Sequence, residues 1–83
     1  MTKERLKQIF DKTEAEWNGD NAFQGLQILS KYFDNLIIAA EHDIIYGPGI
    51  TDEFLEQFTE EDAVALRKLN WMLEYDEQFA CFV

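Results

Sequence analysis

Large apolar side chains alternate along the last thirteen residues of this chain, and this pattern constrains the fold more than any other. Alternation with period two is typical of a β-strand with one buried face. A three-residue loop at Asp76, Glu77 and Gln78 would close a hairpin, although such loops usually carry a glycine. We therefore predict a C-terminal β-hairpin with these side chains on one face: Trp71, Leu73, Tyr75, Phe79, Cys81 and Val83.

The N-terminal third follows the helical period instead. Thr2 is placed to cap a first helix over residues 3–17, and Gly19 is suited to the left-handed conformation at its end. A second helical pattern begins near Asn21 and reaches Phe33. The two apolar stripes consist of Leu6, Ile9, Phe10, Thr13 and Trp17, and of Phe23, Leu26, Leu29 and Phe33.

Residues 35–46 allow two interpretations. Their apolar side chains could extend the second helix. Three features favour a strand over residues 37–46 instead: the turn-prone pair Asp34 and Asn35, the β-branched content, and the glycine–proline–glycine loop that follows.

Two short helices are predicted after that loop. Thr51 can cap a helical turn over residues 52–57, and Thr59 can cap a second helix. Three acids follow Thr59 in the first turn of that helix, and Arg67 and Lys68 lie in its last turn, as the helix dipole favours. Asn70 is suited to the position just past its end.

These elements define an α+β fold in a single domain over residues 1–83. Two N-terminal helices, a strand, a helix and the C-terminal hairpin would form a small antiparallel sheet packed on helices, because three short strands are marginal alone. Aromatic side chains at core spacing are predicted to fill the interior: Phe10, Trp17, Phe23, Phe33 and Trp71.

Charge is distributed very unevenly along the chain. The net charge is −10, and residues 34–66 contain nine acids without a single lysine or arginine. Such a field repels nucleic acid and anionic membranes and attracts basic protein surfaces. The candidate interaction residues are Asp52, Glu53, Glu56, Glu60, Glu61 and Asp62. Asp52, Glu56 and Glu60 would share one stripe if the two short helices were continuous.

Candidate catalytic chemistry is sparse. His42 stands between Glu41 and Asp43, but neighbours on a strand point to opposite faces, so we predict a strand histidine satisfied by a hydrogen bond. Cys81 lies on an apolar strand face and is predicted to be a buried, inert thiol. The sequence therefore predicts no catalytic residue, no metal site and no cofactor, and a protein that is not an enzyme.

Part of the chain resembles a known kind of protein. Three segments carry the resemblance: residues 39–46 before a glycine-containing loop, the run from Phe58 to Asp62, and Asn70 with Trp71 before an acidic-turn hairpin. They are similar to segments of uncharacterised small acidic proteins of bacteriophages and mobile elements. The similarity covers roughly residues 39–83. It implies a strand, a helix and a hairpin and a phage-type origin, with no known activity.

The charge and this resemblance predict a phage-type inhibitor or nucleic-acid decoy in the host cytoplasm. It would bind the basic surface of a host nucleic-acid-binding protein, without direct contact to nucleic acid or membrane. The alternative is a structural or self-associating protein whose acidity is only solubilising, which allows a homodimer. Charge-driven binding weakens steeply with ionic strength, whereas apolar dimerisation does not.

Overall fold

The computed structural model describes residues 1–17 and 19–82. Helices α1 (Lys3–Lys12) and α2 (Asn21–Leu29) come first, followed by strands β1 (Ala39–Glu41) and β2 (Ile44–Gly49). Helices α3 (Asp52–Gln57) and α4 (Glu60–Lys68) precede strands β3 (Trp71–Glu74) and β4 (Gln78–Phe82). The strands form one antiparallel sheet in the order β1-β2-β4-β3. The α+β prediction is confirmed, with four strands instead of three.

The additional strand arises because residues 37–46 do not form one strand. The chain reverses at His42 and Asp43, whose φ angles are 50° and 65°, and Glu41 pairs with Ile44 across this two-residue turn. Aspartate and histidine adopt positive φ more readily than most residues, so the turn forms without a glycine. The helical alternative is wrong as well, since α2 ends at Leu29.

Strand β2 continues through the stretch predicted as a loop. Gly47, Pro48 and Gly49 belong to the strand, and its pairing with β4 shifts register between Tyr46 and Gly49. Such an irregularity accommodates a proline, which has no N–H for the strand ladder.

The C-terminal hairpin has the predicted faces with a turn one residue earlier. Trp71 pairs with Cys81 and Leu73 pairs with Phe79. Tyr75 and Asp76 adopt positive φ in the turn, so the prediction of Tyr75 on the apolar face is wrong. Moving the three-residue turn by one position changes the pairing by two residues. Because side chains alternate between the faces with a period of two, the strand residues keep their predicted faces. Val83 lies outside the described residues.

The helices cover the face of the sheet that carries Trp71, Leu73, Phe79 and Cys81, which we call the inner face. Phe10 of α1 and Phe54 of α3 contact the ring of Phe79, with centroid distances of 6.1 and 5.8 Å. Leu66 of α4 is buried in the same core cluster. A Cβ atom on Gly25 of α2 would lie 1.9 Å from Nε1 of Trp71, so this close helix–sheet approach needs a glycine.

Two aromatic residues predicted in the core are exposed. The first helix ends at Lys12, because Thr13 is extended, and Trp17 lies beyond it with 61% of its surface accessible. Helix α2 buries Asn21, Gly25 and Leu29. Phe23 lies about 200° around the helix from Asn21 at about 100° per residue, and it is 62% exposed. The core predictions for Phe10, Trp71 and the partly buried Phe33 are confirmed.

The predicted helix boundaries around the acidic residues are confirmed. The hydroxyl oxygens of Thr51 and Thr59 accept hydrogen bonds from the backbone N–H groups of Phe54 and Asp62, at 3.1 and 3.0 Å. Thr2 caps α1 in the same way, accepting from the N–H of Arg5. The chain is extended at Phe58, with φ −71° and ψ 125°, so α3 and α4 are separate helices. Asn70 has the expected positive φ.

Candidate protein-interaction site

The six acidic candidates lie on two consecutive helices. Asp52, Glu53 and Glu56 lie on α3, and the other three form the first turn of α4. All except Asp62 are exposed. Because the chain is extended at Phe58, the helical stripe that would join Asp52, Glu56 and Glu60 does not form.

Glu60 forms an ion pair within the protein. Its carboxylate accepts two hydrogen bonds from the guanidinium of Arg5, at 2.7 and 3.0 Å. The hydrogen bond and the charge of Arg5 lower the pKa of Glu60, and the same bond raises the pKa of Arg5. This bidentate pair links the start of α4 to α1, although both side chains are about half exposed and such pairs contribute little to stability.

Asp62 is also engaged internally. Its side chain, only 16% exposed, accepts hydrogen bonds from the hydroxyl of Tyr32 and from Nζ of Lys31, the latter at 3.1 and 3.2 Å. Burial alone would raise the pKa of Asp62, but the bonds from Tyr32 and Lys31 outweigh it and lower that pKa. Burial and the bond to Asp62 raise the pKa of Tyr32.

Four of the candidates remain available to a partner. Within residues 1–17 and 19–82, no ion pair involves Asp52, Glu53, Glu56 or Glu61, and all four are exposed. We call these four side chains the acidic surface. No opposite charge pairs with them in the described residues, but Asp52, Glu53 and Glu61 lie in the first turns of α3 and α4, where the helix dipole favours a negative charge.

The fold adds one acid that sequence reasoning did not include. The backbone N–H of Ile50 donates to the carbonyl of Glu77 at 2.7 Å, so the β3–β4 turn lies beside the start of α3. Glu77 is exposed there, whereas its neighbour Asp76 pairs with Lys7 at 3.2 Å. The alternation of residues 71–83 predicted the hairpin but carried no signal for its position against α3.

A small cavity opens beside the acidic surface. It has a volume of about 240 Å³ and is lined by Tyr32, Phe33, Thr51, Glu53, Phe54 and Gln57. Phe33 packs on Phe54 with ring centroids 4.7 Å apart, and Tyr32 meets Phe54 edge to face. Aromatic walls next to a carboxylate suit the stem and head of an arginine or lysine side chain.

The two candidate reactive residues, His42 and Cys81, lie outside this site. His42 is exposed in the β1–β2 turn, so its prediction as a strand histidine is wrong. Cys81 is fully buried, as predicted, and burial raises the pKa of its thiol. In the part of the chain that the structure describes, no three histidine, cysteine, aspartate or glutamate side chains come together in a way that could hold a metal ion.

A further groove lies between α2 and α4. Its volume is about 530 Å³, and apolar side chains such as Ile28 and Leu69 line it together with Lys31 and Lys68. It does not include any residue of the acidic surface.

Comparisons with known proteins do not assign this chain to a family. No protein family, no curated protein and no solved structure matches this chain. Within residues 1–17 and 19–82, the helices are too short or too polar to cross a lipid bilayer.

Proposed function

We propose that this protein is a non-enzymatic interaction module whose acidic surface binds a basic surface of another protein. One observation carries the proposal: Asp52, Glu53, Glu56 and Glu61 are exposed without an ion pair in the described structure, whereas Glu60 and Asp62 of the same segment pair with Arg5 and Lys31. Unneutralised carboxylates raise the local concentration of a cationic partner and speed its association.

The cavity beside Glu53 gives this surface a point of specific contact. An arginine or lysine side chain of the partner would place its stem against Phe33 and Tyr32 and its charged head at the Glu53 carboxylate. A cation anchored in an aromatic pocket is a frequent source of binding energy at protein interfaces.

The partner class that fits best is a nucleic-acid-binding protein, because such proteins expose clustered lysine and arginine side chains. Within this proposal we keep the sequence-based prediction of an inhibitor or nucleic-acid decoy in the cytoplasm of a host cell, which rests on the charge of the chain. Since α3 and α4 are separate helices, we propose contact through acids on two successive helices, without one continuous helix that imitates the DNA backbone.

The alternative is a self-associating protein whose acidity is only solubilising. Exposed apolar side chains on the sheet, such as Phe82 at 49% exposure, favour this alternative. The two functions differ in their dependence on salt, because apolar dimerisation persists at ionic strengths that screen exposed charges.

A capture experiment with matched variants tests the proposed function. The acidic-surface triple variant removes three charges through Glu53→Gln, Glu56→Gln and Glu61→Gln. Glutamine has a similar size and helix propensity to glutamate. Exposed glutamates elsewhere provide a control triple with the same net charge: Glu4→Gln, Glu14→Gln and Glu16→Gln. The bait proteins are incubated with lysate from a bacterial host at about 50 mM and about 500 mM salt.

We expect the wild type and the control triple to retain the same basic protein at low salt. The acidic-surface triple should lose it, and high salt should release it from all baits. Equal retention by the two triples, or retention that high salt does not weaken, would contradict the proposal.

A further inference from the structure

The sheet has a second apolar face. Cross-strand pairing places Tyr46 beside Ala80, Ala80 beside Met72, and Ile44 beside Phe82. Neighbouring residues on a strand point to opposite sides, so these side chains point away from the helices that cover the inner face. We call this the outer face; it consists of Ile44, Tyr46, Met72, Ala80 and Phe82.

The side chains of the outer face lie against one another, and most of them remain partly exposed to solvent. Ala80 is fully buried, although it does not belong to the core cluster of the described residues. Its cross-strand neighbours Tyr46 and Met72 flank it on both sides. Phe82 is 49% exposed, and Ile44, Tyr46 and Met72 are partly exposed. Such a set of apolar side chains on one surface is typical of a contact site.

The charged side chains of the strands themselves have one sign. The four strands contain no lysine or arginine. Glu41 pairs with Ile44 and shares its face, and Glu74 follows Met72 by two residues and also lies on the outer face. Lys7 and Arg67 border the β3 edge, but Lys7 pairs with Asp76, and the Arg67 guanidinium donates to the carbonyls of Phe10 and Trp71.

The two glutamates lie on opposite sides of a strip of the outer face that is about as wide as a helix laid along the strands. They lie on the two edge strands, β1 and β3, which are three strand spacings apart. At about 4.8 Å per spacing this is roughly 14 Å across the strands, and an α-helix with its side chains measures about 10–12 Å across. The strand pairing sets Glu41 level with residue 70, four residues before Glu74, so the two carboxylates are also offset by about 13 Å along the strands. One helix laid on the outer face would therefore have a carboxylate on each side.

We infer that the outer face binds an amphipathic helix of another protein, one whose apolar stripe is flanked by lysine or arginine. The apolar stripe covers Tyr46, Met72 and Phe82, and the flanking cations meet Glu41 and Glu74. Helices already cover the inner face in this manner, so the complex has a helix layer on both sides of the sheet. This surface is separate from the acidic surface of α3 and α4.

A second copy of the chain fits this face less well. Packing two outer faces together would bring Glu41 and Glu74 of both copies into one interface, and each chain carries a net charge of −10. Like charges placed close together at an interface disfavour association. Charge complementarity thus favours a basic helix.

A synthetic peptide can serve as the probe. It contains about 14 leucine and lysine residues, with leucines at i, i+3, i+4 and i+7, and a control peptide of equal composition has its leucines scrambled so that no stripe forms. Backbone amide NMR spectra of the full chain are recorded during titration with each peptide. We expect shift changes concentrated at Ile44, Tyr46, Met72, Ala80 and Phe82 with the striped peptide and scattered, weaker changes with the scrambled one.

Two sets of variants complete the test. Phe82→Ser, at a position exposed enough to spare the fold, should weaken binding of the striped peptide roughly tenfold, and Glu41→Gln with Glu74→Gln should remove most of its salt dependence. Glu53→Gln with Glu56→Gln should leave the affinity unchanged, which separates this inference from the proposed function. The inference is overturned if the striped peptide does not bind, if its shift changes centre on α3 and α4, or if both peptides bind equally well. It is also overturned if the protein forms a dimer that the substitution Phe82→Ser dissociates.

Discussion

Trp71 and Glu61 lie ten residues apart in the sequence, on two consecutive elements, and their surroundings are opposite. The Trp71 ring is fully buried against Gly25, and its indole N–H donates to the carbonyl of Asn21 at 3.0 Å. Glu61 is exposed and, within the described part of the chain, forms no ion pair. Packing constrains the residue at the first position, whereas the second position is constrained only by its place in the first turn of α4, where the helix dipole favours an acid.

The same contrast occurs between two adjacent carboxylates. Asp62 bonds to Tyr32 and Lys31, whereas Glu61 extends into solvent. An acidic segment can therefore contain structural and freely exposed charges side by side. The difference predicts which substitutions change the stability of the fold and which change only the surface.

A loss of stability as large as that of any core truncation is expected at Gly25. Gly25→Ala places a Cβ atom 1.9 Å from the indole nitrogen of Trp71, so α2 or the tryptophan must move. We expect a loss of about 3 kcal/mol or more, because the gain in helix propensity is only about 1 kcal/mol. Gly49→Ala is the control, since its Cβ would meet only the Glu77 carbonyl at 3.8 Å. Equal urea midpoints for the two variants would contradict the described contact between α2 and β3.

The two faces of the sheet should respond differently to truncation of phenylalanine. Phe79 is fully buried between Phe10, Phe54 and Phe58, so Phe79→Ala should cost about 3–5 kcal/mol. Phe82→Ala on the outer face should cost less than about 1 kcal/mol. Chemical denaturation of both variants measures the difference, and a larger loss at Phe82 would mean that the inner and outer faces are assigned the wrong way round.

Asp62 and Glu61 provide the sharpest comparison of charge. Asp62→Asn should cost about 1–2 kcal/mol at neutral pH, since it weakens bonds to a largely buried carboxylate, while Glu61→Gln should be nearly neutral. The folded-state pKa of Asp62 is lowered, so its carboxylate stabilises the fold above its usual pKa of 3.8. That stabilisation disappears as the pH falls through the lowered value.

The cost of Asp62→Asn relative to wild type should therefore shrink as the pH falls below 3.8. Unfolding curves recorded at several pH values follow this change. A cost that stays constant down to the lowest pH would show that the charge of Asp62 is not what stabilises the fold.

The smallest effect is expected at the start of α4. Thr59→Ala removes the oxygen that accepts the N–H of Asp62 and should cost about 1 kcal/mol, whereas Thr59→Ser should recover most of it. If alanine and serine variants melt at the same temperature as wild type, the capping bond does not contribute measurably.

Features governed by local chemistry could be predicted from the sequence. The caps Thr2, Thr51 and Thr59 and the positive φ of Asn70 each depend on a few adjacent residues, and all are present. The faces of the C-terminal hairpin could also be predicted because alternation preserves the face of each residue even when the turn moves by one position.

Features governed by distant contacts could not be predicted. Trp17 follows the helical period, but the helix ends before it, and Phe23 lies on the wrong side of α2 once Gly25 packs on Trp71. The candidate acids divide in the same way. Nothing in the sequence near Glu60 or Asp62 indicates their partners Arg5 and Lys31, which lie 55 and 31 residues away.

The most direct test of the account is the stability of the triple variant Glu53→Gln, Glu56→Gln and Glu61→Gln at low ionic strength. Because these carboxylates have no ion pair in the described structure, we expect a free energy of unfolding within about 1 kcal/mol of wild type, since the helix-dipole stabilisation lost at Glu53 and Glu61 is offset as repulsion falls. A loss of more than about 1 kcal/mol, comparable to that of Asp62→Asn, would show that the acidic surface holds the fold together. That result would contradict the claim that these charges are directed at a partner.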